Sequence, residues 1–234
     1  MDRRIFSVLL ALFLVMSTQS GSADDRWPQF RGLGARGVSD ESGLPTRWTT
    51  TENVVWTADV PGLGWSSPIV WDGTIYLTTV VSSDAVETPL GGLYRGSETW
   101  NPSEAEHRWL VYAFDVETGA VRWQKDFIED YDTSVPVYGI ASAPLVDGNR
   151  LITLVGGEPD ALVVAFDKYS GDEIWRALPV LSELGYAHPV IYRAGGVRQL
   201  IIWHPEALVS LDPESGEVYW EQPWDVSMAV SLAT

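Results

Sequence analysis

From residue 66 onward the chain alternates short apolar stretches with polar, glycine-containing turns. "SSPIVWDGTIYL" from Ser66, "SAPLVDGNRLITL" from Ser142 and "HPVIYRAGGVRQLII" from His188 each read as strand, turn, strand. A second set of stretches, "WLVYAF", "ALVVAF" and "ALVSL", is dense in Val, Phe and Tyr and too short for a helical stripe, so these are strands as well. Each runs into a turn of one type: Asp, two variable residues, Thr or Ser, then Gly. Asp115, Asp167 and Asp212 can accept bonds from backbone amides, and Gly119, Gly171 and Gly216 can take a positive φ. The strand after each turn carries Trp123, Trp175 or Trp220.

The full copies are "AFDVETGAVRW" (113–123), "AFDKYSGDEIW" (165–175) and "SLDPESGEVYW" (210–220). Their glycines are 52 and 45 residues apart, and that period, with four strands per unit, is that of a propeller blade. The fold expected is therefore all-β, a β-propeller of four-stranded antiparallel blades. The flat Trp on each outermost strand can bury its surface against the neighbouring blade. "NVVWTADVP" from Asn53 reads as one more outermost strand, with Trp56 in the place of the three tryptophans, but without three strands before it. The propeller is thus expected to be incomplete, about three blades plus an N-terminal closing strand. The boundaries read as 53–61 for the closing strand, 62–127 for blade 1 with an insertion at 82–106, 128–178 for blade 2, 179–224 for blade 3 and 225–234 for the start of a fourth.

Composition fits a folded chain: 45% of the 234 residues are apolar and 20% are charged. The formal net charge of -17 repels nucleic acid and anionic lipid. Zero cysteines exclude disulfides, thiolate metal sites and cysteine nucleophiles. Upstream of the repeats, Arg3 and Arg4 precede an apolar run at 5–16, and small residues end at Ala23, as in a secretory signal peptide at 1–23. The run is shorter than the roughly 20 residues that span a bilayer. An extension, 24–52, would then begin a mature chain in the periplasm or outside the cell, with no membrane insertion.

Partner contacts are expected where the connections between second and third strands, and the approaches to each blade, share one face. That face receives the long insertion with Tyr94, Arg95 and Trp100, the "GGEPDA" turn with Glu158, and Trp65 and Tyr138 on the blade approaches. Long loops in compact folds are often functional, and aromatic and Arg side chains suit a contact surface. His107 lies at the end of the insertion. A hairpin centred on Gly195 and Gly196 would bring His188 and His204 side by side, in a geometry compatible with a metal but without an assigned carboxylate ligand. No catalytic triad, phosphate-binding glycine loop or zinc-protease helix is present, so no catalytic residue and no metal ligand is assigned.

The three copies of Ala-x-Asp-x-x-Thr-Gly-x-x-x-Trp resemble the tryptophan-docking motif of pyrroloquinoline-quinone (PQQ)-type β-propellers. Ser170 departs from it in the second copy, and Ser210 and Ser215 in the third. "WPQFRG" from Trp27 resembles the mature start of exported bacterial members, a group likened to the propeller lipoprotein of the outer-membrane barrel-assembly machine. In closed rings of this family a strand like 53–61 completes the final blade, whose other strands come from the C-terminus. The resemblance implies an N-terminal fragment of such a propeller and two functions of different class. One is a non-catalytic scaffold for a protein or glycan partner, with no cofactor. The other is an oxidoreductase using PQQ and calcium, its site completed by further blades.

Overall fold

The computed structural model describes residues 26–64, 66–84, 105–134, 139–224 and 226. The expected signal peptide, most of the insertion and nearly all of 225–234 lie outside them, as do Trp65, Tyr94, Arg95, Trp100 and Tyr138.

Among the described residues twelve strands form three four-stranded antiparallel sheets, each in chain order. The first holds β1 (Ile69–Trp71), β2 (Thr74–Ser82), β3 (His107–Asp115) and β4 (Val121–Asp126). The second holds β5 (Leu145–Asp147), β6 (Arg150–Gly157), β7 (Ala161–Asp167) and β8 (Glu173–Ala177). The third holds β9 (Val190–Ala194), β10 (Val197–His204), β11 (Ala207–Leu211) and β12 (Val218–Pro223). These are the three blades expected from the repeats. A helix that the repeats did not announce, α1 (Phe127–Tyr131), links the first two and is capped by the Asp126 carboxylate on Ile128 N–H.

One buried apolar cluster runs through all three sheets, from Ile69, Val111 and Phe127 through Leu151, Val163 and Phe166 to Leu200, Ile202 and Val209. The middle blade is buried on both sides, which is why β6 and β7 read as nearly unbroken apolar runs. Peripheral β12, by contrast, is exposed at every position.

The Asp turns are built as their chemistry required. Asp115 accepts from the N–H groups of Glu117 and Thr118, Asp167 from those of Tyr169 and Ser170, and Asp212 from that of Glu214. A register shift falls in each copy just before the Asp, at Ala113/Phe114, Ala165/Phe166 and Ser210/Leu211. These bulges re-aim the chain into the turn.

The Trp rings lie over turn glycines of the next unit. A Cβ added to Gly119, Gly171 or Gly216 would come within 2.7, 2.9 and 2.7 Å of the rings of Trp56, Trp123 and Trp175. Trp56 Nε1–H donates to Val116 O at 2.8 Å, and Trp123 Nε1–H to the corresponding Lys168 O at 3.0 Å. The third carbonyl of this set, Pro213 O, accepts instead from Arg150 Nε at 2.9 Å. Trp175 Nε1 is buried without a hydrogen bond.

Residues 53–61 differ from expectation. Trp56 packs as an outermost-strand Trp does, but no strand forms there. A ladder needs a neighbouring backbone, and none of the described residues pairs with this segment.

Candidate binding face

In every blade the second strand ends and the third begins on one rim, at the pairs Ser82↔His107, Gly157↔Ala161 and His204↔Ala207. His107, Glu158 and His204 therefore share that rim, and His188, just before β9, lies at the same end of its blade. Local chemistry fixes each one. His107 Nδ1 lies 2.8 Å from Ala105 O, and its ring stacks with Trp109. The exposed Glu158 follows Gly157, where a Cβ would meet Tyr131 Cβ at 2.5 Å, and the Glu158 N–H donates to Tyr131 O at 2.7 Å. The "GGEPDA" turn is thus seated on the end of α1.

His188 and His204 are not a pair. The β9–β10 ladder runs from Ala194↔Val197 to Val190↔Ile201, so the hairpin is centred midway between Gly195 and Gly196, whereas setting His188 opposite His204 needs it centred on Gly196. Continued to the end of the blade, this register sets Ala187 opposite His204 and His188 opposite Trp203. A slip of one residue turns a side chain to the other face of a sheet. Each histidine has its own partner. Buried His204 holds Glu206 Oε2 through Nδ1 at 2.9 Å, and the other Glu206 oxygen accepts from Ser182 Oγ. His188 Nδ1 accepts from Ala143 N–H at 2.7 Å, and its ring stacks on Phe30 at 4.1 Å. That bond requires the neutral ring, and burial lowers the His188 pKa.

The contact with Phe30 belongs to an arrangement that the sequence reading missed. Trp27 exchanges both backbone hydrogen bonds with Val70 of β1, at 2.7 and 3.0 Å, and Pro28 O accepts from Val146 N–H of β5 at 2.7 Å. The extension thus pairs successively with the first strands of blades 1 and 2, which themselves touch. It then reverses at Arg31 and Gly32, where φ is 62° and 70°. A Cβ on Gly32 would meet the Trp27 ring at 2.6 Å, so only glycine lets the ring fold back there. Between this reversal and blade 3 lies a cleft of about 420 Å³. Phe30, His188, Tyr192, Ile201 and Trp203 give it apolar and aromatic walls, and Arg31 and Gln29 supply polar groups. Among the described residues no carboxylate lines it, although the chain carries a net charge of -17. The only sequence signal was the apolar–Pro–polar–aromatic start of "WPQF", which carries no period.

Among the described residues no group of three or more His, Asp and Glu stands where it could hold a metal ion. The inner edges of blades 1 and 2 are already bonded to residues 27 and 28.

Three bladed sheets with Asp turns and interlocking tryptophans define a PQQ-like β-propeller, here an incomplete one. The family described as outer membrane protein assembly factor BamB matches residues 104–230, more than half of the chain, and the chain belongs to it. No curated protein matches. Among solved structures, BamB from Moraxella catarrhalis is 20% identical, with 50% of this chain and 32% of that one covered and a TM-score of 0.35. Quinohemoprotein alcohol dehydrogenase from Comamonas testosteroni is 17% identical, covering 74% and 30%, with a TM-score of 0.43. A quinohemoprotein alcohol dehydrogenase from Pseudomonas putida HK5 is 18% identical, covering 74% and 35%, with a TM-score of 0.37. The chain spans about a third of the length of these structures.

Proposed function

We propose that the chain is part of an exported, non-catalytic propeller that holds a protein partner on the rim carrying His107, Glu158, His188 and His204. The observation that carries this reading is the family match over residues 104–230, to a family described as an assembly factor. Export is supported by the signal-like pattern of residues 1–23. Among the described residues no helix is long and apolar enough to cross a membrane. The acidic balance disfavours a nucleic-acid partner. The missing cysteines, which remove the adjacent pair that stacks on the quinone in quinoprotein dehydrogenases of this fold, support the non-catalytic reading.

The test is a thermal melt of the full-length protein with PQQ and calcium added together, beside photo-crosslinking from Glu158 in the native host. Unchanged melting and a crosslinked envelope protein are expected. Saturable stabilisation by the quinone with calcium would overturn the reading.

A further inference from the structure

Antiparallel two-residue hairpins close on a hydrogen-bonded pair, and the next residue out directs its N–H and C=O away from the partner strand. In β1 the closing pair is Trp71↔Thr74, so Val70 faces outward, and Trp27 bonds it. In β5 the closing pair is Asp147↔Arg150, so Val146 faces outward, and Pro28 bonds it. In β9 the closing pair is Ala194↔Val197, so Arg193 and Ile191 face outward. Among the described residues no backbone group meets them, because the extension has already reversed at Arg31 and Gly32. β9 is longer than β1 and β5, five residues against three each, and Tyr192, Arg193 and Ala194 are exposed.

We propose that the open edge of β9 is a peptide-binding edge, at which an extended segment of a partner protein pairs with Ile191 and Arg193 and sets an apolar side chain in the cleft beside Phe30 and His188. The occupant follows from continuity: the same inner edges of the two preceding blades already accept extended backbone, in the mode of β-strand addition. Specificity comes from the walls. Tyr192, Ile201 and Trp203 suit an aliphatic or aromatic residue. Arg31, the one cationic side chain among the described residues that line the cleft, where His188 is neutral, suits a carboxylate on the incoming segment. Such an edge, left bare, is also a liability for mispairing, which favours its being covered.

The proposal rests on the protein-scaffold reading above, and the experiment separates the two. In the full-length protein in its host, a photoreactive benzoylphenylalanine replaces either Tyr192 or Glu158, each with and without Ile191→Pro. Proline at 191 removes an outward N–H that serves no ladder bond, and edge strands tolerate it there. The crosslink from position 192 should map to one short segment of a partner, and Ile191→Pro should weaken it about tenfold, as for loss of a backbone bond and close approach. The crosslink from 158 should survive that substitution. If Ile191→Pro lowers the melting temperature, Tyr192→Glu replaces it as the disrupting variant, read by slowed amide exchange at Arg193 with the identified partner present. A crosslink from 158 with none from 192 overturns the edge site and leaves the scaffold reading standing. Crosslinks from neither position overturn both. A crosslink from 192 to this chain's own residues, or to a second copy, overturns the partner assignment.

Discussion

The Trp123 ring lies over Gly171 in the next blade, and its Nε1–H donates to Lys168 O of the same turn at 3.0 Å. One side chain thus reads both the missing Cβ and the carbonyl of its neighbour. Gly171 has a φ of 77°, and an added Cβ would stand 2.9 Å from the ring. Gly171→Ala should therefore cost about 2–4 kcal/mol, combining left-handed strain with overpacking. Denaturant unfolding measures it, and a loss below about 1 kcal/mol would show that the contact yields freely.

Trp175 and Trp220 occupy the same place in their repeats but differ in burial, 7% against 41% exposed. In the 234-residue chain Trp175→Ala should cost about 3–5 kcal/mol, the range for large core truncations. Trp220 donates only to Gln199 Oε1 of its own blade, and Trp220→Ala should cost under about 1 kcal/mol, as partly exposed positions do. Equal losses would contradict the difference in packing.

His188 is neutral in the fold, where it accepts from Ala143 N–H, and burial lowers its pKa. The unfolded chain takes up this proton near its ordinary value of about 6.5. The stabilising contribution is therefore complete above that pH and declines as the pH falls through it. His188→Asn keeps an acceptor without the titration, so its stability should change less between pH 7 and 5 than that of the natural chain. Parallel curves in chemical denaturation would remove His188 as the cause.

A second acid-sensitive group acts in a lower window. Asp115 is held down to about 2, first by Arg122 and then by the hydroxyl and N–H of Thr118. Its contribution is present above the ordinary Asp value of about 3.9 and is lost as the pH falls toward 2. NMR titration of the Asp115 carboxyl should show the depressed midpoint, and Arg122→Gln should raise it.

Tyr192, Trp220 and Trp224 are 61%, 41% and 55% exposed on blade 3. Apolar exposure of this kind promotes association. Sedimentation of the 234-residue chain should show concentration-dependent self-association, reduced in the double substitution Trp220→Ser with Trp224→Ser. A monomer at all concentrations would show that the face is covered in solution.

Three blades, their strands and their Asp turns were legible in the sequence because each is set by local pattern. Alternation and short apolar runs specify strands, Asp and Gly specify the turn, and repetition marks the unit. The positions of Trp123, Trp175 and Trp220 on the outermost strands were legible in the same way, but not that Trp123 and Trp175 lie over a glycine of the next unit while Trp220 bonds only within its own blade. The partners of Trp27, Pro28 and Phe30 could not, because those contacts join residues far apart in the chain, such as Trp27 with Val70 and Pro28 with Val146, and follow no period. The histidines failed at a finer scale. Sequence placed His188 and His204 at one blade end, but a hairpin centred half a residue earlier gave them different partners. Nor could sequence tell that Trp56 packs on Gly119 without a strand around it, since a ladder depends on which backbone lies alongside. Local rules therefore determined the blades, while tertiary packing decided which edges are filled, which faces are covered and where an extended segment can still add.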